Sequence, residues 1–160
     1  MINIKIICVG KLKERFYADA SAEYLKRLSS YAKTEIIELA EVRRSADPSP
    51  KEIEAAMLKE AEAIAEKIPA GALIVAMCVE GKQYSSEELA ELLERAATAG
   101  QSKICFIIGG SDGLHPTIKA KAAIKMSMSR MTFPHHLARV MLLEQVYRGF
   151  KINEGGKYHK

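Results

Sequence analysis

Two apolar runs, ALIVAMCV at residues 72–79 and ICFII at residues 104–108, constrain the fold of this chain more than any other feature. Strands with helices on both faces have this composition, because neither face of the sheet meets water. A third run, INIKIICV at residues 2–9, is rich in β-branched residues, and a shorter one lies at Thr34–Leu39. Together with a short candidate at Ala123–Met128, these runs predict a buried sheet.

Amphipathic helices are predicted between the strands. From about Lys13 to Tyr31, apolar residues recur at four-residue steps with charged residues between them. A second helix starts at Ser49-Pro50 and runs to about Lys67, and a third starts at Ser85 with a capping-box-like sequence and ends near Gly100. Because strands and helices alternate, the sequence predicts an α/β fold with a mainly parallel sheet flanked by helices.

The composition is that of an ordinary globular protein. The chain has 160 residues, which suits a single domain over residues 1–160, and its 48% hydrophobic and 28% charged residues argue against disorder. No apolar run approaches the roughly 18 residues that span a bilayer, and the first residues lack the pattern of a signal peptide. We therefore expect a cytoplasmic protein without a membrane segment.

Three cysteines, Cys8, Cys78 and Cys105, lie far apart in the sequence, each within an apolar run. An odd number at this spacing indicates neither a disulfide framework nor a metal cluster. We expect three buried free thiols and no bound metal.

The charge is distributed unevenly along the chain. Residues 115–160 contain nine Lys/Arg and two Asp/Glu, a net charge of +7, which leaves −3 for residues 1–114, and all four histidines lie in the C-terminal part. Concentrated positive charge favours a polyanionic partner such as a nucleic acid. A solvated basic surface is the alternative interpretation.

Two loops are predicted at the carboxyl ends of buried strands, where ligands of parallel sheets gather. They are Glu80-Gly81-Lys82 and GGSDG at residues 109–113. Glycines let the backbone approach a ligand, although a simple tight turn explains the second loop equally well. Ser111 replaces the second glycine of a dinucleotide fingerprint, so an oxidoreductase lacks its motif. We expect His115, at the start of a short helix, to be a surface or capping residue.

The segment SMSRMTFPHHLARVMLLEQVYRGF, residues 127–150, carries many functional side chains on one long helix. Ser129–Phe133 is predicted as a loop, and Pro134 starts the helix. Glu144 and Arg148 are four residues apart, so an intrahelical ion pair is one explanation for both. The tail that ends in Tyr158-His159-Lys160 is expected to fray, or to fold over a base and its phosphates.

Several segments together resemble one family, the RlmH proteins within the SPOUT-class RNA methyltransferases. The matching pieces are IKIICVGKLKERF near the start, VEGK, IGGSDGLH, SMSRMTFPHHLARVMLLEQVYRGFKI and the terminal YHK. They span the chain from one end to the other. The run MTFPHHLARVMLLEQVYR is highly specific, whereas IGGSDG alone would not be.

This resemblance implies a small α/β domain of the SPOUT, or alpha/beta knot, type, whose C-terminal part is threaded into a trefoil knot. It further implies a homodimer that methylates N3 of a pseudouridine in helix 69 of 23S ribosomal RNA, with S-adenosylmethionine as the methyl donor and no metal. Carried over by motif, the donor-binding residues are Met77, Gly109, Gly110, Met128, Ser129, Arg130, Met131, Thr132 and Phe133.

The pseudouridine N3 bears a proton at neutral pH, so the reaction implied by the resemblance needs a base or a group that stabilises the anion. Candidates for the base are His135, Glu144 and His159; candidates for orienting the nucleobase or a phosphate are Arg139, Arg148 and Tyr158. Cys78 stands where many relatives have an acidic residue, so the role of that carboxylate does not carry over. A knotted RNA-binding or ribosome-binding protein without transfer activity is the alternative function.

Overall fold

The computed structural model describes all 160 residues and contains five strands and five helices. In chain order they are β1 (Ile2–Val9), α1 (Arg15–Leu28), β2 (Ala32–Leu39), α2 (Pro50–Lys67), β3 (Leu73–Gln83), α3 (Ser86–Thr98), β4 (Lys103–Ile108), α4 (Pro116–Lys121), β5 (Ile124–Ser127) and α5 (His135–Asn153). Every predicted strand and helix is present. None of the helices combines the length and apolar character that a membrane span requires.

The strands form one parallel sheet in the order β2-β1-β4-β3-β5, which confirms the predicted α/β class. Helices α1, α3 and α5 cover one face, where Leu28, Leu93 and Leu142 pack against the sheet, and α2 and α4 cover the other, where Ile64 and Ile118 pack. Apolar side chains therefore project from both faces of the central strands, as the unbroken apolar runs predict. The threading of a trefoil knot stays a prediction.

Local sequence signals explain where the helices on each side of β3 begin. The Ser49 side chain caps α2 by accepting a hydrogen bond from the Glu52 N–H at 3.2 Å, next to Pro50 at the first helical position. Ser85 and Glu88 form a full capping box at the start of α3. Both helix starts confirm the sequence prediction.

The prediction of a loop at Glu80-Gly81-Lys82 is wrong, because β3 continues through Gln83. Met77 and Lys82 both pair with Met126 of β5, so the intervening residues bulge out of the regular ladder. At Gly81, a Cβ atom would lie 2.7 Å from the Lys125 carbonyl carbon. Only glycine allows the two backbones to approach this closely. In the sequence, the same glycine was interpreted as part of a loop.

Two further expectations need correction. Cys8 and Cys105 are buried, which raises the pKa of each thiol to about 11, but Cys78 is only partly buried. His115 is a capping residue, as predicted, and accepts a hydrogen bond from the Thr117 N–H at 3.2 Å, yet it is buried rather than on the surface. Its Nε2 atom contacts the Glu54 carboxylate at 2.8 Å, which supplies the partner that a buried imidazole needs.

Candidate active site

A cavity of about 670 Å³ lies at the carboxyl ends of β3, β4 and β5. Its volume is in the range of sites that hold small molecules, and its lining combines apolar side chains with exposed loop backbone. Eight of the nine predicted donor contacts line it, and the exception is Arg130. Those eight are Met77, Gly109, Gly110, Met128, Ser129, Met131, Thr132 and Phe133.

The glycine loop, residues 109–113, folds back on itself at the edge of this cavity. The Gly113 N–H donates to the Gly110 carbonyl at 3.0 Å, and Gly113 has a φ of +81°, which other residues rarely adopt. A Cβ atom at Gly109 would lie 2.5 Å from the Gly113 carbonyl carbon. The loop is therefore a tight turn, and it also lines the cavity. The two interpretations of the sequence, a tight turn and a loop at a ligand site, do not exclude each other.

His135 lines the cavity at the start of α5. Its Nε2 atom is buried and has no hydrogen-bond partner, and its ring lies 4.1 Å from that of His136, measured between centroids. Burial, followed by the neighbouring His136, lowers the pKa of His135, so the neutral imidazole is favoured. Of the three base candidates, His135 is the one that lines this cavity.

Arg139 does not reach the surface. Its side chain is among the most buried in the chain, its Nη1 donates to the Glu38 carboxylate at 2.5 Å, and its Nη2 donates to the Gly10 carbonyl at 3.0 Å. Burial alone would raise the pKa of Glu38, but hydrogen bonds from Arg139 and from the Leu12 N–H lower it. The expectation that Arg139 orients RNA is therefore corrected, because in this chain it fixes the loop after β1.

Glu144, Arg148, Tyr158 and His159 form a second cluster, on the later turns of α5 and the tail. Arg148 Nε donates to Glu144 at 2.8 Å, which confirms the predicted ion pair, and its guanidinium carbon lies 4.7 Å from the centre of the Tyr158 ring. His159 contacts Arg148 Nη1 through Nδ1 at 3.1 Å and Glu87 through Nε2 at 2.7 Å. The tail is packed onto α3 and α5 rather than frayed.

The two groups of candidates are separated along α5. His135 and Glu144 are nine residues apart, which corresponds to about 14 Å along a helix. Glu144 lines a second groove of about 510 Å³, together with Tyr84, Val140 and Met141. This groove and the first cavity share Met126, Ser127 and Met128 of β5 and the following loop. A single chain therefore places His135 and the cluster of Glu144 and Arg148 on two adjoining surfaces.

A family model described as "Predicted SPOUT methyltransferase" matches residues 2–159 of this chain. The chain belongs to the SPOUT methyltransferase family. Proteins named ribosomal RNA large subunit methyltransferase H from Bacillus pumilus and Bacillus thuringiensis are 49% and 48% identical to it, each over 99% of this chain and 100% of the relative. This close similarity confirms the resemblance seen in the sequence motifs.

A solved structure shares the fold of this SPOUT methyltransferase at low sequence identity. It is that of a probable methylase family protein from Haemophilus influenzae, with a TM-score of 0.57 and 14% identity over 99% of this chain and 71% of the other. At that identity the similarity concerns the fold alone. It agrees with the parallel sheet and flanking helices described above.

Sequence reasoning missed several residues that line the cavity of this SPOUT methyltransferase. Lys119 of α4 forms an ion pair with Glu80 of β3, and both line the cavity together with Cys78. The hydrogen bond from Lys119 lowers the pKa of Glu80. Glu80 belongs to the segment Glu80-Gly81-Lys82, which stands out in the sequence after a buried strand, whereas nothing in the sequence around Lys119 indicates a site. No three His, Cys, Asp or Glu side chains are grouped as metal ligands.

Proposed function

We propose that this SPOUT methyltransferase transfers a methyl group from S-adenosylmethionine to N3 of a pseudouridine in helix 69 of large-subunit ribosomal RNA, in the cytoplasm. The proposal rests chiefly on one observation: eight of the nine donor contacts expected from the motifs line a single cavity. The name of the two Bacillus relatives supports ribosomal RNA as the substrate.

The residues around the cavity suit the donor. Met77, Met128 and Phe133 offer an apolar surface to the adenine ring, and the glycine loop offers backbone groups without side chains in the way. When bound, S-adenosylmethionine would supply an electrophilic methyl group on its sulfonium. The chain then has to hold the nucleobase in line with that methyl and assist removal of the N3 proton.

Within the cavity, His135 is the residue we propose as the base. Its ring lines the cavity, and its favoured neutral form can accept a proton. The Glu144–Arg148–Tyr158–His159 cluster would bind the nucleobase or its phosphates, since it combines an arginine with an aromatic ring and a histidine. This division assigns proton transfer and RNA binding to different surfaces of the chain.

A homodimer would bring those surfaces together. Glu144 and Arg148 lie on α5 away from the cavity of their own chain, so we propose that they complete the site of a partner subunit. Val79 and Met131 line the cavity and are 55% and 73% exposed, which is high for apolar side chains. Exposed apolar side chains beside a cavity favour an intermolecular contact at this edge.

The proposal is tested by incubating the purified protein and S-adenosylmethionine with ribosomes that lack the helix 69 methylation. Mass mapping of the ribosomal RNA should then show one added methyl on the helix 69 pseudouridine. Methylation of another nucleotide would overturn the proposed substrate. No methylation by a protein that binds S-adenosylmethionine would favour the inactive RNA-binding alternative.

Replacing Arg148 separates RNA binding from donor binding. We expect Arg148→Ala to lower methyl transfer to ribosomes by about 100-fold, because an arginine that orients a reacting group contributes several kcal/mol. Affinity for S-adenosylmethionine, measured by calorimetry, should stay within about twofold, since Arg148 does not line the cavity. Arg95→Ala, at an exposed arginine of α3, is the control. Unchanged methyl transfer in Arg148→Ala would remove Arg148 from the site.

A further inference from the structure

The loop that joins β2 to α2, residues 40–49, is held firmly although it contains no regular structure. Glu60 of α2 is only 4% exposed, and its carboxylate accepts hydrogen bonds from the Val42 N–H at 2.9 Å and from Arg44 Nη1 at 2.8 Å and Nη2 at 3.3 Å. Arg44 Nη1 also donates to the Val42 carbonyl. A buried carboxylate with this many donors fixes the first half of the loop to α2.

The second half of the loop has its own attachment to the same helix. The Ser45 N–H and hydroxyl both donate to the Glu52 carboxylate, at 2.5 and 2.7 Å. These hydrogen bonds from Ser45 lower the pKa of Glu52. The β2–α2 loop is thus a rigid support rather than a flexible connection.

This support holds the glycine loop of the cavity. Arg44 Nε, the donor that Glu60 leaves free, donates to Asp112 at 3.0 Å. The Ser111 hydroxyl donates to Glu41 at 3.0 Å. The two polar side chains of GGSDG therefore both bond to the β2–α2 loop. Both residues also line the cavity, so a role in holding the loop has to be separated from a direct contact with the donor.

Glycine-rich loops lose much conformational freedom on ordering, so a ligand that has to order such a loop binds more weakly. A loop that is already held in its bound shape avoids that cost. We propose that Arg44 is a positioning residue for the methyl donor. Through Asp112, and with Glu41 and Ser111 as a second tie, it keeps the glycine loop in the shape that binds S-adenosylmethionine. This inference rests on the proposed function.

The test replaces the glycine-loop residues of these hydrogen bonds, Ser111 and Asp112. Changing Arg44 instead would leave Glu60 buried without its partner and unfold part of the domain. The variants are Ser111→Ala, Asp112→Ala and the double variant, all of which keep the Arg44–Glu60 pair. We expect the dissociation constant for S-adenosylmethionine, measured by calorimetry, to rise about tenfold in the double variant. The matched control is Arg43→Gln, at the exposed neighbouring arginine, which should bind as the unaltered protein does.

Two further measurements separate positioning from general stability. Hydrogen exchange at residues 109–113 in the free double variant should speed up at least about tenfold, while the exchange of the core strands is unchanged. In the ribosome assay, the KM for S-adenosylmethionine should rise while kcat at saturating donor stays within about twofold.

The possible failures are distinguishable. If the unaltered protein binds S-adenosylmethionine and the double variant binds it equally well, the positioning role is overturned and the proposed function stands. If the unaltered protein does not bind the donor, the proposed function is overturned together with this inference. A double variant whose core strands exchange faster along with residues 109–113 would show a stability effect, and would also overturn the positioning role. Weaker donor binding without faster exchange of residues 109–113 in the free variant would indicate a direct contact of these cavity-lining side chains, and would overturn it too.

Discussion

Arg139 has the side chain of an RNA-binding residue, but its role in this structure is to hold the fold together. It lies on a helix rich in functional side chains, yet only 1% of its surface is exposed and it bonds to Glu38 and the Gly10 carbonyl. Glu38 is 101 residues away in the chain, so no local spacing could reveal the pair. The glutamate in turn accepts the Leu12 N–H, so the pair fixes the chain just after β1.

This role predicts a loss of stability rather than of RNA affinity when Arg139 is replaced. Arg139→Ala should lower the free energy of unfolding by about 2–3 kcal/mol, because it removes the charged partner of a partly buried carboxylate and the Arg139 donor of a buried carbonyl. Urea unfolding measures the change. Arg15→Ala is the matched control, since its ion pair with Asp19 is 94% and 72% exposed and should contribute less than about 1 kcal/mol. Equal effects of the two substitutions would contradict the structural role.

At the scale of elements, the strands and helices were predicted well from the sequence, because the spacing of apolar residues follows which side chains are buried. Unbroken apolar runs became central strands, and four-residue steps became helices. The end of β3 was missed because Glu80, Gly81 and Lys82 are polar or small. Those residues continue the strand beside β5, at the edge of the sheet, where side chains reach solvent.

The part of the site that is formed by loops with a recognisable sequence motif could be predicted. Eight of the nine donor contacts that the motifs predict line one cavity. The roles of Arg44, Lys119 and Arg139 were not predictable, because each depends on a partner brought close only by the fold. Glu80, for example, is 39 residues from Lys119.

The glycine loop gives a prediction at the same scale. Gly109→Ala should weaken S-adenosylmethionine binding at least about tenfold, because its Cβ would lie 2.5 Å from Gly113 backbone, which cannot move without opening the turn. Gly71→Ala is the control, since Gly71 does not line the cavity and an added Cβ there meets no atom within 4 Å. Calorimetric titration of both variants decides the matter. Similar affinities would show that the turn is not required.

At the scale of the whole molecule, the proposed dimer makes a prediction that no single chain can satisfy. Gly109→Ala is expected to weaken donor binding and Arg148→Ala to lower methyl transfer, so at limiting donor each variant alone should keep at most about a tenth of the normal activity. If each site combines the cavity of one subunit with Arg148 of the other, mixing equal amounts should restore roughly a quarter of the normal activity. Half of the dimers would then be mixed, each with one intact site.

The measurement is methyl transfer to ribosomes after the two variants have been unfolded together and refolded. Sedimentation should show a particle of twice the 17.7 kDa chain mass. A mixture no more active than its parts would mean that each site belongs to one subunit.

The bulge in β3 also has a practical consequence. It leaves Cys78 as the one thiol of three that is not buried, and this thiol lines the cavity. An alkylating reagent should therefore label the folded protein at Cys78 alone, and slowly, because burial and then Glu80 raise the pKa of that thiol. S-adenosylmethionine in the cavity should slow the labelling further, as peptide mass analysis would show, and equal rates with and without it would argue against binding there. The rate of labelling at Cys78 would then report on the proposed occupancy of the cavity by the donor.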